Sequence, residues 1–291
     1  MRWMLIVLSS QKSGRTLARH VKAATISFVP ATSYSAEMMD RRAVLTALAG
    51  MSTLHPVLAQ TREELNIATV EGDMVVTRCA ADCSGKRPCV LVLHGNRGPE
   101  LNPRAYARYA DALTAVGIDT YLLRYFTPAD SQTLDPKTST KEERCAYTSR
   151  RFGGWARRVS SVATAILARS DASDRIGLLG FSLGGYVAAA TAAEDNRIAA
   201  LAVLYGGMPD DLGSYVKQLP PIIELHGEAD RVVPVAKGEA LVKLAQSVGA
   251  NAELVTYAAR DHGFDFSDTD PMTADAVRRV TQFFQGRLEG Q

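Results

Sequence analysis

The chain has 291 residues, with 33 Lys or Arg against 31 Asp or Glu, and 46% of it is hydrophobic. That balance is ordinary for a globular protein and excludes disordered and fibrous classes. No apolar run approaches the roughly 20 residues that cross a bilayer, and no internal repeat is visible.

The first 59 residues differ from the rest. Positions 1–36 lack a hydrophobic period and carry five basic residues before any acidic one. Arg41 and Arg42 then precede a short apolar stretch that closes on Val57, Leu58 and Ala59. This order of charged, apolar and small residues reads as an export signal, and the paired arginines point to the twin-arginine route. The acidic Asp40 before them and the missing aromatic after them make the motif imperfect. The expectation is translation from Met38 or Met39, with 1–37 an extension, and a mature chain starting at Gln60. A basic targeting arm is the alternative. The expected location is periplasmic or secreted, with cytoplasmic as the other reading. Without 1–59 the chain holds 26 basic and 29 acidic residues. The basicity therefore belongs to the leader, and neither nucleic acid nor membrane is expected as a partner.

From residue 60 strands and helices alternate. Residues 73–78 read as a strand, followed through a turn by 88–93, an almost wholly apolar run of the kind a buried parallel strand needs. The period over 102–116 is helical, with Tyr106, Tyr109, Ala110 and Leu113 on one face and Gly117 as the stop. Residues 118–123 form the next strand. Residues 126–144 are polar, contain Pro128 and Pro136, and are expected to be an exposed loop. A helix over 155–168 leads to a strand at 175–179. Further strands are expected at 199–205, 221–225 and 252–257, and helices at 236–248 and 273–284. The alternation demands an α/β fold, a mostly parallel central sheet flanked by helices, with 60–291 as one catalytic domain.

The four cysteines, Cys79, Cys83, Cys89 and Cys145, all follow the leader. In an exported protein an even number permits disulfides. Cys79 and Cys89 flank a short turn, which would leave Cys83 for Cys145. Three pairings exist, and in the cytoplasm all four would be free thiols. Their spacing does not suit zinc, and no metal is expected.

The chemistry centres on Gly180, Ser182 and Gly184. A Gly-x-Ser-x-Gly between an apolar strand and a small-residue helix is the setting of a nucleophile elbow. Ser182 stands at the apex, and the N–H of Leu183 faces any oxyanion formed there. A serine hydroxyl needs a base, and only His226 and His262 follow it among five histidines. His262 lies in a loop beyond the last strand, and Asp230 in the loop that His226 opens. Ser182 is therefore assigned as nucleophile, His262 as base and Asp230 as the carboxylate that orients it. The alternative makes His226 the base. The strand at 88–93 ends in His94, Gly95, Asn96 and Arg97, and Asn96 is the expected second oxyanion donor, with His94 fixing the loop. Phe126, Arg151, Trp155 and Tyr205, together with Arg97, are candidates to line a substrate pocket.

These motifs resemble the dienelactone hydrolase family of α/β-hydrolases. The residues that carry the likeness are His94-Gly95, Gly180, Ser182, Gly184 and Gly185, His226-Gly227 with Asp230, and His262-Gly263-Phe264. Separations of 48 residues from Ser182 to Asp230 and 32 from Asp230 to His262 are similar to that family's. The family's name-giving enzymes carry cysteine where this chain has Ser182. The resemblance thus implies a serine-bearing ester hydrolase of the α/β-hydrolase fold rather than a lactone specialist. The expected activity is cleavage of a small carboxylic ester or lactone, with a small molecule as partner and no cofactor. A peptidase of the same fold and a catalytically idle binding protein are the alternatives. Oligomeric state is not legible.

Overall fold

A computed structural model describes residues 62–288. The export signal and extension expected within 1–59 lie outside the described residues. Eight strands form one sheet in the order β1-β2-β4-β3-β5-β6-β7-β8. Their ranges are β1 Arg62–Ile67, β2 Met74–Cys79, β3 Arg87–Leu93, β4 Asp119–Leu123, β5 Ala172–Phe181, β6 Ile198–Leu204, β7 Ile222–Gly227 and β8 Ala252–Tyr257. The pairs β1/β2 and β2/β4 are antiparallel, and the rest of the sheet is parallel. The central strands are apolar on both faces because helices cover both. Helices α1 (Pro103–Ala115) and α6 (Pro271–Leu288) take one face, burying Tyr109, Leu113, Val280 and Phe284 against Val92, Leu179 and Ala202. Helices α3 (Lys141–Leu167), α4 (Leu183–Glu194) and α5 (Val235–Ser247) take the other, where Trp155, Val159, Val187 and Leu241 pack on Leu91, Leu178 and Val203. Among the described residues no helix is long and apolar enough to cross a membrane.

The mostly parallel sheet is the one the alternation demands. Three features differ from the expectations. Strand β1 was not anticipated: it is an edge strand with only Ile67 buried, so it lacks the apolar signature of the core strands. The segment 126–144 is not a loop. It holds α2 (Pro128–Leu134) and the first turn of α3. Each begins with a reciprocal capping box, Thr127 with Asp130 and Thr140 with Glu143. These caps satisfy backbone N–H groups that a polar sequence would otherwise leave to water. Helix α3 consequently runs 27 residues and passes through Gly153 and Gly154. A Cβ at Gly154 would lie 2.6 Å from an Arg151 nitrogen and 2.8 Å from Glu71, so the glycine makes room for that ion pair.

The third difference concerns the cysteines, all four of which are free. Strand β4 lies between β2 and β3, so Cys79 pairs with Thr120 and Cys89 with Asp119 across it rather than with each other. The end of the sheet around these cysteines is closed by charge. Buried Asp119 accepts from Arg78 at 2.7 Å and Arg87 at 2.8 Å, and both arginines also reach Asp171. The opposite edge, where the parallel strands end, is left for the loops that carry Ser182, Asp230 and His262. Crevices at that edge are where open α/β sheets hold ligands.

Candidate active site

Strand β5 turns into α4 at Ser182, whose backbone sits at φ 52°, ψ −118°. A non-glycine residue in this region is strained by about 1–3 kcal/mol. The flanking glycines are needed for a different reason, close approach. A Cβ at Gly180 would fall 2.4 Å from the carbonyl oxygen of Gly184, and one at Gly184 would fall 2.3 Å from that of Leu93. A Cβ at Gly185 would meet Val203 at 2.8 Å. The turn is thus wedged between β3 and β6, and the strain is concentrated on the serine.

Ser182, His262 and Asp230 are brought into one hydrogen-bonded chain. His262 Nε2 lies 2.9 Å from Ser182 Oγ, and His262 Nδ1 lies 2.8 Å from Asp230 Oδ2. An ionised carboxylate only accepts, so Nδ1 carries the proton and Nε2 is left to accept from the serine hydroxyl. The other oxygen of Asp230 accepts from the N–H groups of Val232 and Val233, each at 2.8 Å. The acid is therefore buried but saturated, with its loop folded around it. The acid and histidine loops also clasp each other. Ala229 N–H donates to the carbonyl of Arg260, and Arg231 binds Asp261 through its backbone and side chain. Gly227 has no room for a Cβ, which would sit 2.3 Å from the Arg260 carbonyl oxygen.

His226 does not reach Ser182. It lies fully buried under the acid loop, with Nδ1 on Glu224 and Nε2 on the carbonyl of Val233. His94 is buried as well. It donates Nδ1–H to the Gly95 carbonyl, stacks on Tyr125 with centroids 4.3 Å apart, and is pushed down to about 4 by burial. It is a neutral structural ring at ordinary pH. The Tyr125 hydroxyl donates to the His94 carbonyl, and the Gly95 N–H donates to the Tyr106 hydroxyl. These bonds hold the 94–96 loop beside the elbow, where a Cβ on Gly95 would be 3.7 Å from that of Ser182. Leu183 opens α4, so its N–H has no intrahelical acceptor. Neither it nor the Asn96 N–H has a protein acceptor among the described residues.

A family model described as the dienelactone hydrolase family matches residues 82–288. The chain belongs to the dienelactone hydrolase family. Among solved structures, the Anabaena variabilis dienelactone hydrolase superposes with a TM-score of 0.60 at 20% identity, over 79% of this chain and 99% of that one. A dienelactone hydrolase-like promiscuous phosphotriesterase from metagenomic libraries gives 0.63 at 17%, over 79% and 100%. A thermophilic carboxylesterase cloned from a metagenomic library gives 0.62 at 16%, over 79% and 90%. At these identities the likeness is one of fold, the α/β-hydrolase fold. No curated protein matches.

Within this family member the expected pocket residues divide. Arg97 and Phe126 line a cleft of about 370 Å³, together with Asn96, Leu134 and Lys137. Arg97 is exposed and takes part in no ion pair among the described residues. Trp155 has no exposed surface to offer a substrate. It is wholly buried beneath Phe126 and Phe152, because α3 presents its apolar face to the sheet. Arg151 is not free for a substrate carboxylate either. It is held by Glu71 at 2.6 Å and Asp130 at 2.8 Å. Tyr205 is buried, and it serves the site from below: its ring meets His262 and its hydroxyl donates to Asp265. Asp265 was not singled out from the sequence. Its position three residues after His262 in the same turn was the only available signal. Among the described residues no cluster of His, Cys, Asp and Glu suits a metal ion.

Proposed function

We propose that the protein is a serine-dependent hydrolase of small carboxylic esters or lactones that works through an acyl-enzyme. The observation that carries this reading is the chain from Ser182 Oγ through His262 to Asp230, at 2.9 and 2.8 Å, on a family scaffold of hydrolases. Ser182 Oγ attacks the carbonyl carbon while His262 Nε2 takes its proton. Asp230 holds the resulting imidazolium and keeps the ring oriented. The negative oxygen of the tetrahedral intermediate is received by the N–H groups of Leu183 and Asn96, both without another acceptor. His262 then gives its proton to the departing alkoxide. Water attacks the acyl group with His262 again as base, releasing the carboxylic acid and restoring Ser182.

In this scheme the catalytic groups belong to the polypeptide, water is the second reactant, and the substrate partner is a small molecule. The cleft at Asn96, Arg97 and Phe126 adjoins the oxyanion loop and offers room for one substituent of the ester. Specificity on this scaffold is set by such loops rather than by the fold. The test is turnover of p-nitrophenyl acetate by wild type and Ser182→Ala. Retention of full turnover by the variant would overturn the reading.

A further inference from the structure

Beneath the acid loop lies a second histidine–carboxylate pair that the proposed reaction does not use. Glu224 and His226 point to the same face of β7 and are both fully buried. His226 Nδ1 lies 2.8 Å from Glu224 Oε1. His226 Nε2 lies 2.9 Å from the Val233 carbonyl and 3.4 Å from Asp230 Oδ2. Helix α5 closes the site at Gly238, where a Cβ would come within 2.8 Å of both Glu224 Oε1 and His226 Nδ1. Glu224 Oε1 also accepts the N–H of Gly206 at 3.2 Å.

Every neighbour of the two ring nitrogens is an acceptor. A neutral imidazole has one N–H, so one nitrogen would press a lone pair against an oxygen. The pair therefore holds one proton more than a neutral ring and a carboxylate would. Placed on Glu224, that proton would turn Oε1 into a hydroxyl and weaken its bond from Gly206. Placed on the ring, it gives two N–H donors, one aimed at Glu224 and one between Val233 and Asp230, with a carboxylate on each side. We propose that His226 is an imidazolium held between Glu224 and Asp230, and that it is a positioning residue which shares Asp230 Oδ2 with His262. This rests on the reading of Ser182, His262 and Asp230 as the reacting chain.

The electrostatics of the surroundings agree. Burial works to lower His226, but the bond and charge of Glu224, with Val233 and Asp230, outweigh it and raise the ring. Burial pushes Glu224 up to about 6, against the pull of His226. Glu224 Oε2 is buried without a donor, so His226 and the N–H of Gly206, both on Oε1, are what meets the charge of this carboxylate. Tyr186 on α4 is raised by burial and stays neutral. Lys237 on α5 is paired with Asp210, and Arg231 at the loop surface with Asp261. His262 is the remaining ring on Asp230.

A cation on Asp230 Oδ2 takes part of the charge that would otherwise stabilise protonated His262. Removing it leaves that charge wholly to His262, so the protonated, idle form persists to higher pH. Glu224→Gln, whose amide can satisfy Nδ1 of a neutral ring, should move the acid limb of the kcat/KM profile upward by about half a pH unit. His226→Gln should move it in the same direction. A purely structural role would lower kcat or stability without moving the limb.

The experiment is ¹⁵N-histidine NMR of the wild-type chain at pH 7.5, with pH profiles of p-nitrophenyl acetate turnover for both variants. The His226 signals are assigned by their loss in His226→Gln. Two protonated nitrogens on His226, with the limb shifted upward in the variants, are expected. A neutral His226 in the wild type, or an unmoved limb in folded variants, would overturn the buried cation. The NMR decides alone where Glu224→Gln fails to fold; where His226→Gln fails to fold, the His226 signals of the wild type are assigned by through-space contacts to Val233 and Gly238. Retained turnover in Ser182→Ala is a separate failure, since it would overturn the reading of the site while leaving the His226 signature in place.

Discussion

Tyr205 sets the edge of its ring against His262, with 4.6 Å between centroids and 63° between planes. Its hydroxyl donates at 2.9 Å to Asp265, which closes the turn that begins at His262. Tyr109 on α1 donates to the other oxygen of Asp265 at 2.8 Å. Two hydroxyls from opposite elements thus tether the histidine loop through one buried carboxylate, which burial raises above its usual range.

Removal of either tether leaves a buried carboxylate oxygen without a donor. Tyr205→Phe and Tyr109→Phe should each cost about 1–3 kcal/mol of stability in urea titrations. Tyr205→Phe keeps the ring on His262, so its kcat should fall only a few-fold. A kcat loss as deep as that of Ser182→Ala would contradict the tethering role.

The strain at Ser182 predicts a split between activity and stability. Ser182→Ala and Ser182→Gly should both abolish turnover. Only the glycine variant relieves φ 52°, and it should unfold at a higher temperature by the equivalent of about 1 kcal/mol. Gly184→Ala, by contrast, drives a methyl into the Leu93 carbonyl and should fail to yield folded protein.

Arg151 supplies a test of substrate charge. Its guanidinium is occupied by Glu71 and Asp130. Arg151→Met should destabilise by about 1–3 kcal/mol, because the buried Asp130 loses its guanidinium donor while keeping those of Thr127 and Tyr147. The ratio of kcat/KM for a neutral and an anionic ester should stay within about twofold. A selective loss on the anionic ester would return Arg151 to the pocket.

His94 gives the fold a pH-sensitive point. Its folded value of about 4 lies below the ordinary 6.5, so the folded state binds fewer protons than the unfolded chain between these limits. Stability is therefore full above about pH 6.5 and is lost as pH falls toward 4. Burial is complete, and the loss between pH 7.5 and 5 should be about 2 kcal/mol. His94→Gln should lower stability overall but remove that slope, which urea titrations at the two pH values would show.

The sheet, and the hydrogen-bonded chain of Ser182, His262 and Asp230, leave strong local marks in the sequence. The apolar runs at Val90 and Leu178 read as buried strands. The glycines around Ser182 and the order of Asp230 and His262 narrowed the site to few arrangements. The parts that were not legible depend on tertiary partners. Thr127 with Asp130 and Thr140 with Glu143 are local signals, but the polar stretch around them masked the helices they start. Trp155 and Arg151 sit where a pocket was expected, and only the path of α3 shows one buried and the other ion-paired. Asp265 gains meaning solely from Tyr109 and Tyr205, which arrive from distant positions, and Glu224 from its complete burial beside His226.

The central claim is that Ser182 is activated by His262. The most direct measurement is the intact mass of the protein after a fluorophosphonate probe, with peptide mapping and with p-nitrophenyl acetate turnover followed alongside. A single adduct on Ser182, absent in Ser182→Ala and strongly slowed in His262→Ala, with turnover lost in proportion to labelling, is the predicted result. An unlabelled Ser182 in a protein that still hydrolyses the ester, or labelling at full rate without His262, would contradict it.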